Sequence, residues 1–231
     1  MGTGPVAQEI GIPHFLQLPS VHRVREIEIT VTPTMKPSDA AQIEEVFRAI
    51  DRPIWLVTAG TTDRRSGLVA TWVMQASVDP QSPRVMAGLA PNHFTAELAL
   101  ASRAFGLHLI SAAQIERAWR FALGSGRDRD KFAGMQPRSV VTGAPILYDS
   151  LAWLDCRVIT HFDGGDRLFF LAEVAAGERV VHDPPLTERE LLAAATPEQL
   201  AQLRADMAHD IDVQRPLWSK WLERLYHQGS R

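Results

Sequence analysis

The run LAWLDCRVITHF-DGGD-RLFFLAEVAA, residues 151–176, constrains the fold more than any other part of the chain. Two segments rich in β-branched and aromatic residues flank a Gly-rich tetrapeptide, the pattern of an antiparallel hairpin. Shorter apolar runs read as further strands: PIWLVTAG (53–60), RVMAGLA (84–90) and FGLHLIS (105–111). Helical spacing separates them. SDAAQIEEVFRAI (38–50) predicts a helix with Ser38 or Asp39 as N-cap, Gln42 closing a capping box from Asp39. PNHFTAELALAS (91–102) predicts a second, with Phe94, Leu98 and Ala101 in line, and AAQIERAWRFAL (112–123) a third.

The expected organisation has three parts. Residues 1–36 form an irregular leader with one possible strand, VREIEITV (24–31). Residues 37–182 form a mainly antiparallel β-barrel with crossover helices. Residues 183–231 form a helical C-terminal extension, where Thr187 with Glu190 and Thr196 with Gln199 have capping-box spacing. In that extension Leu200, Leu203, Met207 and Ile211 make one apolar stripe, and Leu217, Trp218, Trp221, Leu222 and Leu225 follow Pro216.

The stretch GLVATWVMQASVDP (67–80) reads as one strand. Successive side chains of a strand point to opposite faces. Ala70, Trp72, Met74, Ala76 and Val78 then share an apolar face, while Val69, Thr71, Val73, Gln75 and Ser77 share one that faces water or a ligand.

Composition narrows the classes. With 45% hydrophobic and 22% charged residues, the chain reads as a globular protein. A net charge of −3 gives no electrostatic case for nucleic acid or anionic membranes. No apolar run reaches membrane-spanning length, and the start MGTGPVAQEI lacks a secretory pattern. The expected location is cytoplasmic. Cys156 is the single cysteine, so an intramolecular disulfide is excluded, and the eight histidines show no metal-ligand spacing. No metal site is expected.

An anion site is the clearest chemical feature. A helix opens at Asn92-His93-Phe94-Thr95 directly after a strand, and first-turn amides lack intrahelical partners. Asn92 and Thr95 add side-chain donors; Arg127, Arg129 and Lys131 of the Gly-rich loop that follows could add charge. Plain capping by Asn92, and a solvated loop balanced by Asp128 and Asp130, explain the same residues without a ligand.

The ordered elements WLVTA, GLVATWVMQASVDP, RVMAGL, NHFTAELALASRAFGLHLIS, DKF, GAPIL, LAWLDCRV and GGDRLFFLAEV resemble the flavin reductase-like family across residues 45–180. The resemblance implies an FMN-binding split β-barrel. It places Thr71, Trp72, Val73, Gln75, Ala76 and Ser77 along the flavin ring, and Asn92, His93 and Thr95 at its phosphate. Lys131 and Phe132 then close the pocket. It further implies FMN (FAD possible) as cofactor, NAD(P)H as co-substrate, hydride transfer to flavin, a homodimer, and a partner monooxygenase as one destination for reduced flavin. Reductases of the family commonly read Gly-Asp-His before the last strand; here the residues are Gly165-Asp166-Arg167. Arg167 is therefore the candidate catalytic position. An arginine cannot exchange protons near neutrality, but it can hold a phosphate or carboxylate. A non-catalytic flavin-binding protein and a split-barrel oxidase of a small heteroaromatic substrate remain the alternatives.

Overall fold

A computed structural model describes residues 36–228. The leader strand expected at 24–31 lies outside them. Helix α1 (Pro37–Ala49) opens the described chain. The sheet comprises β1 (Trp55–Gly60), β2 (Arg65–Ala70), β3 (Val73–Gln75), β4 (Arg84–Leu89), β5 (Ala104–Leu109), β6 (Ala152–Asp163) and β7 (Leu168–Arg179). Helices α2 (Phe94–Ser102) and α3 (Ile115–Ala122) lie between strands, and α4 (Glu188–Ala193) and α5 (Pro197–Gln228) follow them.

All seven strands form one antiparallel sheet in the order β2-β1-β5-β6-β7-β4-β3. Its edge strands, β2 and β3, are neighbours in the chain, separated only by Thr71 and Trp72. Such a link reaches about 10 Å at most, at ~3.5 Å per residue. The two edges must meet at that end, so the sheet curls into a split barrel. This corrects the single strand expected over 67–80. The alternation persists, but the chain changes pairing partner at Thr71–Trp72: Ala70 pairs with Trp55 of β1, whereas Val73 pairs with Ala87 of β4.

The barrel interior is filled by alternate residues: Val57 and Ala59 of β1, Phe105 and Leu107 of β5, and Phe170 of β7. The intervening Leu56 faces a second core with Ile110, Trp119, Phe121 and Phe132. β1 is buried on both faces, which is why it reads as a continuous apolar run. Leu186 and Leu191 also enter the second core, and Leu186 exchanges backbone bonds with Ile54 and Ile110. The start of the expected extension is thus packed into the barrel.

Three local expectations change. α1 starts earlier, with Lys36 as N-cap and no side-chain cap; Pro37, preset for helical φ, takes the first turn instead of an Asp39 box. α5 runs unbroken through Pro216, whose missing N–H leaves the Asp212 carbonyl free on a solvent-exposed side. The apolar stripe of α5 does not turn wholly inward: Met207 and Ile211 are 55% and 50% exposed. Both capping boxes form, at Thr187 with Glu190 and at Thr196 with Gln199. Among the described residues, no helix is long and apolar enough to cross a membrane.

Candidate functional site

A cleft of about 660 Å³ opens between β2, the start of α2, the loop after α3, and α5. This volume falls within the range of small-molecule and cofactor sites. Ser66, Thr71, Thr95, Lys131, Arg167 and Asp210 are among its walls.

The chain turns sharply from β4 into α2, with His93 as an N-cap that makes no side-chain capping bond. Asn92 does not cap either. Its Nδ2 donates to Asp210 Oδ1 at 2.9 Å, and His93 Nε2 lies 2.7 Å from Asp210 Oδ2. Each oxygen of one carboxylate is therefore held by one of two adjacent side chains. Behind them the amides of Phe94 and Thr95, in the first turn, bond to no carbonyl among the described residues. Thr95 is 2% exposed and its hydroxyl donates to Ser66 Oγ at 3.2 Å. Gly126 presses on the same serine, where a Cβ would stand 2.1 Å from Ser66 Oγ. Only a glycine lets the loop approach so closely.

Most of the loop's basic residues serve structure. Arg129 and Lys131 donate to carbonyls at the C-terminal end of α3, Arg129 to Arg120 O and Lys131 to Phe121 O. Cations are favoured at such an end, where carbonyls lack partners. Arg127 lies 5.0 Å over the Phe94 ring and bonds Asn92 O and Glu97. Lys131 differs from the others because it is 4% exposed and also lines the cleft. Among the described residues it makes one hydrogen bond, to Phe121 O at 2.8 Å, of the three an ammonium can donate. Burial, and then the Arg129 charge, lower its pKa from 10.5 to about 8.

Arg167 stands at the cleft mouth. It donates to Asp166 O at 2.8 Å and to Gln214 Oε1 at 2.6 Å. Gln214 in turn donates weakly to Asn92 Oδ1, at 3.4 Å. A polar ladder thus runs along α5 at helical spacing. Asp206 accepts from Gly124 N, Asp210 from Asn92 with His93 beside it, and Gln214 from Arg167. Beyond the ladder, Trp218 stacks on Trp221 at 5.0 Å, and Trp221 donates to Asp163 O.

Of the expected site residues, Thr71, Asn92, His93, Thr95, Lys131 and Arg167 line this cleft. Trp72 adjoins it through Arg167. Val73 lies on β3, beyond the break. Gln75, Ala76 and Ser77 line a separate shallow depression with Val78 and Arg84, where Gln75 bonds Ser77 O and Ser77 Oγ accepts from Arg84 N. Phe132 does not reach the cleft; it is fully buried against Phe121 in the second core. The reading missed Ser66, Gly126, Asp206, Asp210 and Gln214. The α5 residues carried a signal: Leu203, Asp206, Asp210, Gln214, Leu217 and Trp221 follow one helical seam, polar at its centre.

Acid–base and nucleophilic candidates are few. His108 is fully buried, its Nδ1 3.2 Å from Leu56 O and its Nε2 accepting from Leu147 N. Burial lowers its pKa from 6.5 to about 4. Burial also pushes the Cys156 thiol above its usual range, so it is no thiolate nucleophile. Among the described residues, no group of three or more His, Cys, Asp or Glu side chains is placed to hold a metal ion. Neither His108 nor Cys156 lines the cleft; its titratable side chains include His93, His209, Lys131 and Asp210.

These features define a split-barrel protein with a ligand-sized cleft lined by both acidic and basic side chains. Residues 47–191 match the family model described as flavin reductase like domain. High molecular weight rubredoxin of Moorella thermoacetica is 28% identical over 136 residues, covering 58% of each chain. Diflavin flavoprotein A 1 of Synechocystis is 25% identical over 142 residues, covering 59% of this chain and 24% of that one. The chain thus spans about a quarter of the diflavin relative. Among solved structures, a homologue of nitrilotriacetate monooxygenase component B from Mycobacterium thermoresistibile superposes with a TM-score of 0.57 at 27% identity, covering 65% of this chain and 82% of that one. The NADH:FAD oxidoreductase SgcE6 of Streptomyces globisporus shares the fold, with a TM-score of 0.58 at 23% identity over 68% and 93% of the two chains. The chain belongs to the flavin reductase-like family.

Proposed function

We propose that this protein is an FMN-dependent oxidoreductase that accepts hydride from NAD(P)H, with its flavin in the cleft beneath α5. The observation that carries the reading is the pair Asn92 and His93, which holds a carboxylate at the cleft wall just before α2, whose first two amides bond to no carbonyl among the described residues. A carboxylate already sits there, so the donor set fits an anionic group such as a flavin phosphate. FAD fits the same chemistry. When bound, the flavin supplies the hydride-accepting centre.

The chain's own residues bind and orient. Asn92, His93 and the α2 start take the phosphate, and Thr71 with the β2 edge borders the ring. Lys131, buried and with one hydrogen bond among the described residues, favours negative charge inside the cleft. Arg167 offers a fork for the anionic part of the second substrate. The names of two relatives, an NADH:FAD oxidoreductase and a monooxygenase component, support pyridine nucleotide as donor and a monooxygenase as a recipient of reduced flavin.

A non-catalytic flavin carrier is the second reading. It is favoured by Arg167, which stands in place of the expected histidine and is engaged with Gln214. We also propose a homodimer. Ile43, Val46, Phe47 and Ile50 line one face of α1 and are 42–64% exposed, an apolar stripe a second copy would cover. Light scattering should show a particle of twice the chain mass; a monomer with flavin bound would remove the dimer.

The deciding experiment adds FMN to the purified protein and records its visible spectrum, then follows NADH and NADPH oxidation. Perturbed flavin absorbance with nucleotide oxidation supports the reductase. Perturbed absorbance without oxidation selects the carrier, and an unperturbed flavin removes both.

A further inference from the structure

We propose that α5 is a displaceable strap, and that Asp210 is an internal anion which a phosphate-bearing flavin must expel from Asn92 and His93. The proposal rests on the flavin reading of the cleft and names the regulation of that site.

The first support is the geometry of the Asp210 carboxylate. Its two oxygens are 2.9 Å from Asn92 Nδ2 and 2.7 Å from His93 Nε2, the manner in which two side chains hold any oxyanion. A phosphate cannot use these donors while Asp210 does. Two anions in contact repel, so the exchange is competitive.

The second is how α5 is attached along the cleft. A helix that completes a permanent core buries its apolar stripe. Here Met207, Ile211 and Trp218 are 55%, 50% and 42% exposed, while Asp206, Asp210 and Gln214 turn toward the barrel. Along the cleft the seam is therefore polar, with Asp206 and Asp210 partly exposed and Gln214 buried, and its apolar contacts are confined to the ends, Leu203 at the second core and Trp218 at Gly165. Water can replace the bonds of Asp206 and Asp210 at little cost, whereas a wholly buried apolar seam could not be opened so readily.

Third, the ladder covers the features a ligand would need. Asp206 takes the amide of Gly124, Asp210 takes the Asn92 and His93 side chains just before α2, and Gln214 takes Arg167. One helix thus occupies both the expected phosphate position and the expected second-substrate cation. Release of α5 frees both together, which couples flavin entry to exposure of Arg167. Leu191 anchors α4 in the second core and Leu203 packs against that core too, so the part of α5 free to lift begins beyond Leu203.

The test uses the full chain and its Asp210→Asn variant, which keeps the shape and removes the competing charge. FMN and riboflavin affinities are measured by quenching of flavin fluorescence, and exchange of α5 amides is followed by mass spectrometry. Asp210→Asn should bind FMN on the order of 10-fold more tightly, about the worth of one charge-assisted hydrogen bond, with riboflavin changed less than ~2-fold. FMN should also speed amide exchange across residues 203–221 of the wild type. Equal or weaker FMN binding by the variant overturns the proposal, as does slower α5 exchange with FMN, which would make α5 a clamp. If neither protein binds either flavin, the flavin reading falls, and the proposal with it.

Discussion

The Arg167 guanidinium lies over the indole of Trp72, 4.9 Å from the ring centroid, joining the end of the β6–β7 hairpin to the link between the two sheet edges. Arg167 thereby meets Trp72, Gln214, and Asp166 through both its carbonyl oxygen and, at 3.7 Å, its carboxylate. An arginine held on an aromatic face keeps one side of its fork for an anion. Arg167→Ala is expected to raise the Michaelis constant for NADPH by roughly 10-fold, with a smaller effect on NADH. Arg167→His should move activity toward NADH. Steady-state kinetics with both nucleotides check this, and unchanged constants in Arg167→Ala would show a purely structural arginine.

The pair at the start of α2 gives a binding prediction. Asn92→Ala removes a donor that Asp210 uses and a flavin phosphate would use, and Thr95→Ala removes the donor to Ser66. Each change should weaken FMN binding by about 1–3 kcal/mol, as for a charge-assisted bond. A double variant that titrates FMN like the wild type would move the phosphate elsewhere.

His108 sets a pH dependence of stability. With its folded pKa lowered from 6.5 to about 4, it is neutral in both states above pH 6.5. Between pH 6.5 and 4 the unfolded chain takes up a proton that the folded one refuses, so stability falls as the pH falls, by roughly 3 kcal/mol at full effect. Burial is the main cause, opposed by the bond to Leu56 O. In His108→Gln, which can still donate to Leu56 O and accept from Leu147 N, this part of the slope should vanish. Urea midpoints at pH 7 and pH 4.5 for both proteins measure it; parallel losses would exclude His108 as the source.

Gly165 holds the far end of α5. It has φ +92° and faces the Trp218 ring, where a Cβ would stand 2.7 Å from the nearest ring carbon. Gly165→Ala should destabilise the protein by about 1–3 kcal/mol through backbone strain, and shift tryptophan emission to the red as Trp218 leaves the hairpin. Unaltered emission would mean the α5 seat does not depend on this contact.

The parts of the structure legible in the sequence were those set by local rules. The β6–β7 hairpin follows from alternation around Asp163–Asp166, and the α4 and α5 starts follow from Ser/Thr-type capping boxes. The Thr71–Trp72 break was not legible, because a strand that changes partners keeps its alternation. The family resemblance put Phe132 with Lys131 at the pocket, yet neighbouring side chains point apart, one toward the cleft and one into the second core. The polar ladder of α5 was only half legible: its helical spacing is in the sequence, but inward Asp and Gln do not identify themselves as a packing face until the partner surface is known to be a polar cleft.

The position of β2 and β3 at opposite edges also bears on how the chain folds. β2 completes its pairing within a short hairpin with β1, and β3 pairs locally with β4, but that second hairpin joins the sheet only through β7, which follows α2, β5, α3 and β6 in the chain. Thr71 and Trp72 are thus the hinge between an early, local nucleus and a late, long-range closure. Folds dominated by such distant pairings reach the native state slowly, in about milliseconds to seconds. On the ribosome, the β3–β4 hairpin must wait for β7 to emerge before it can join the sheet.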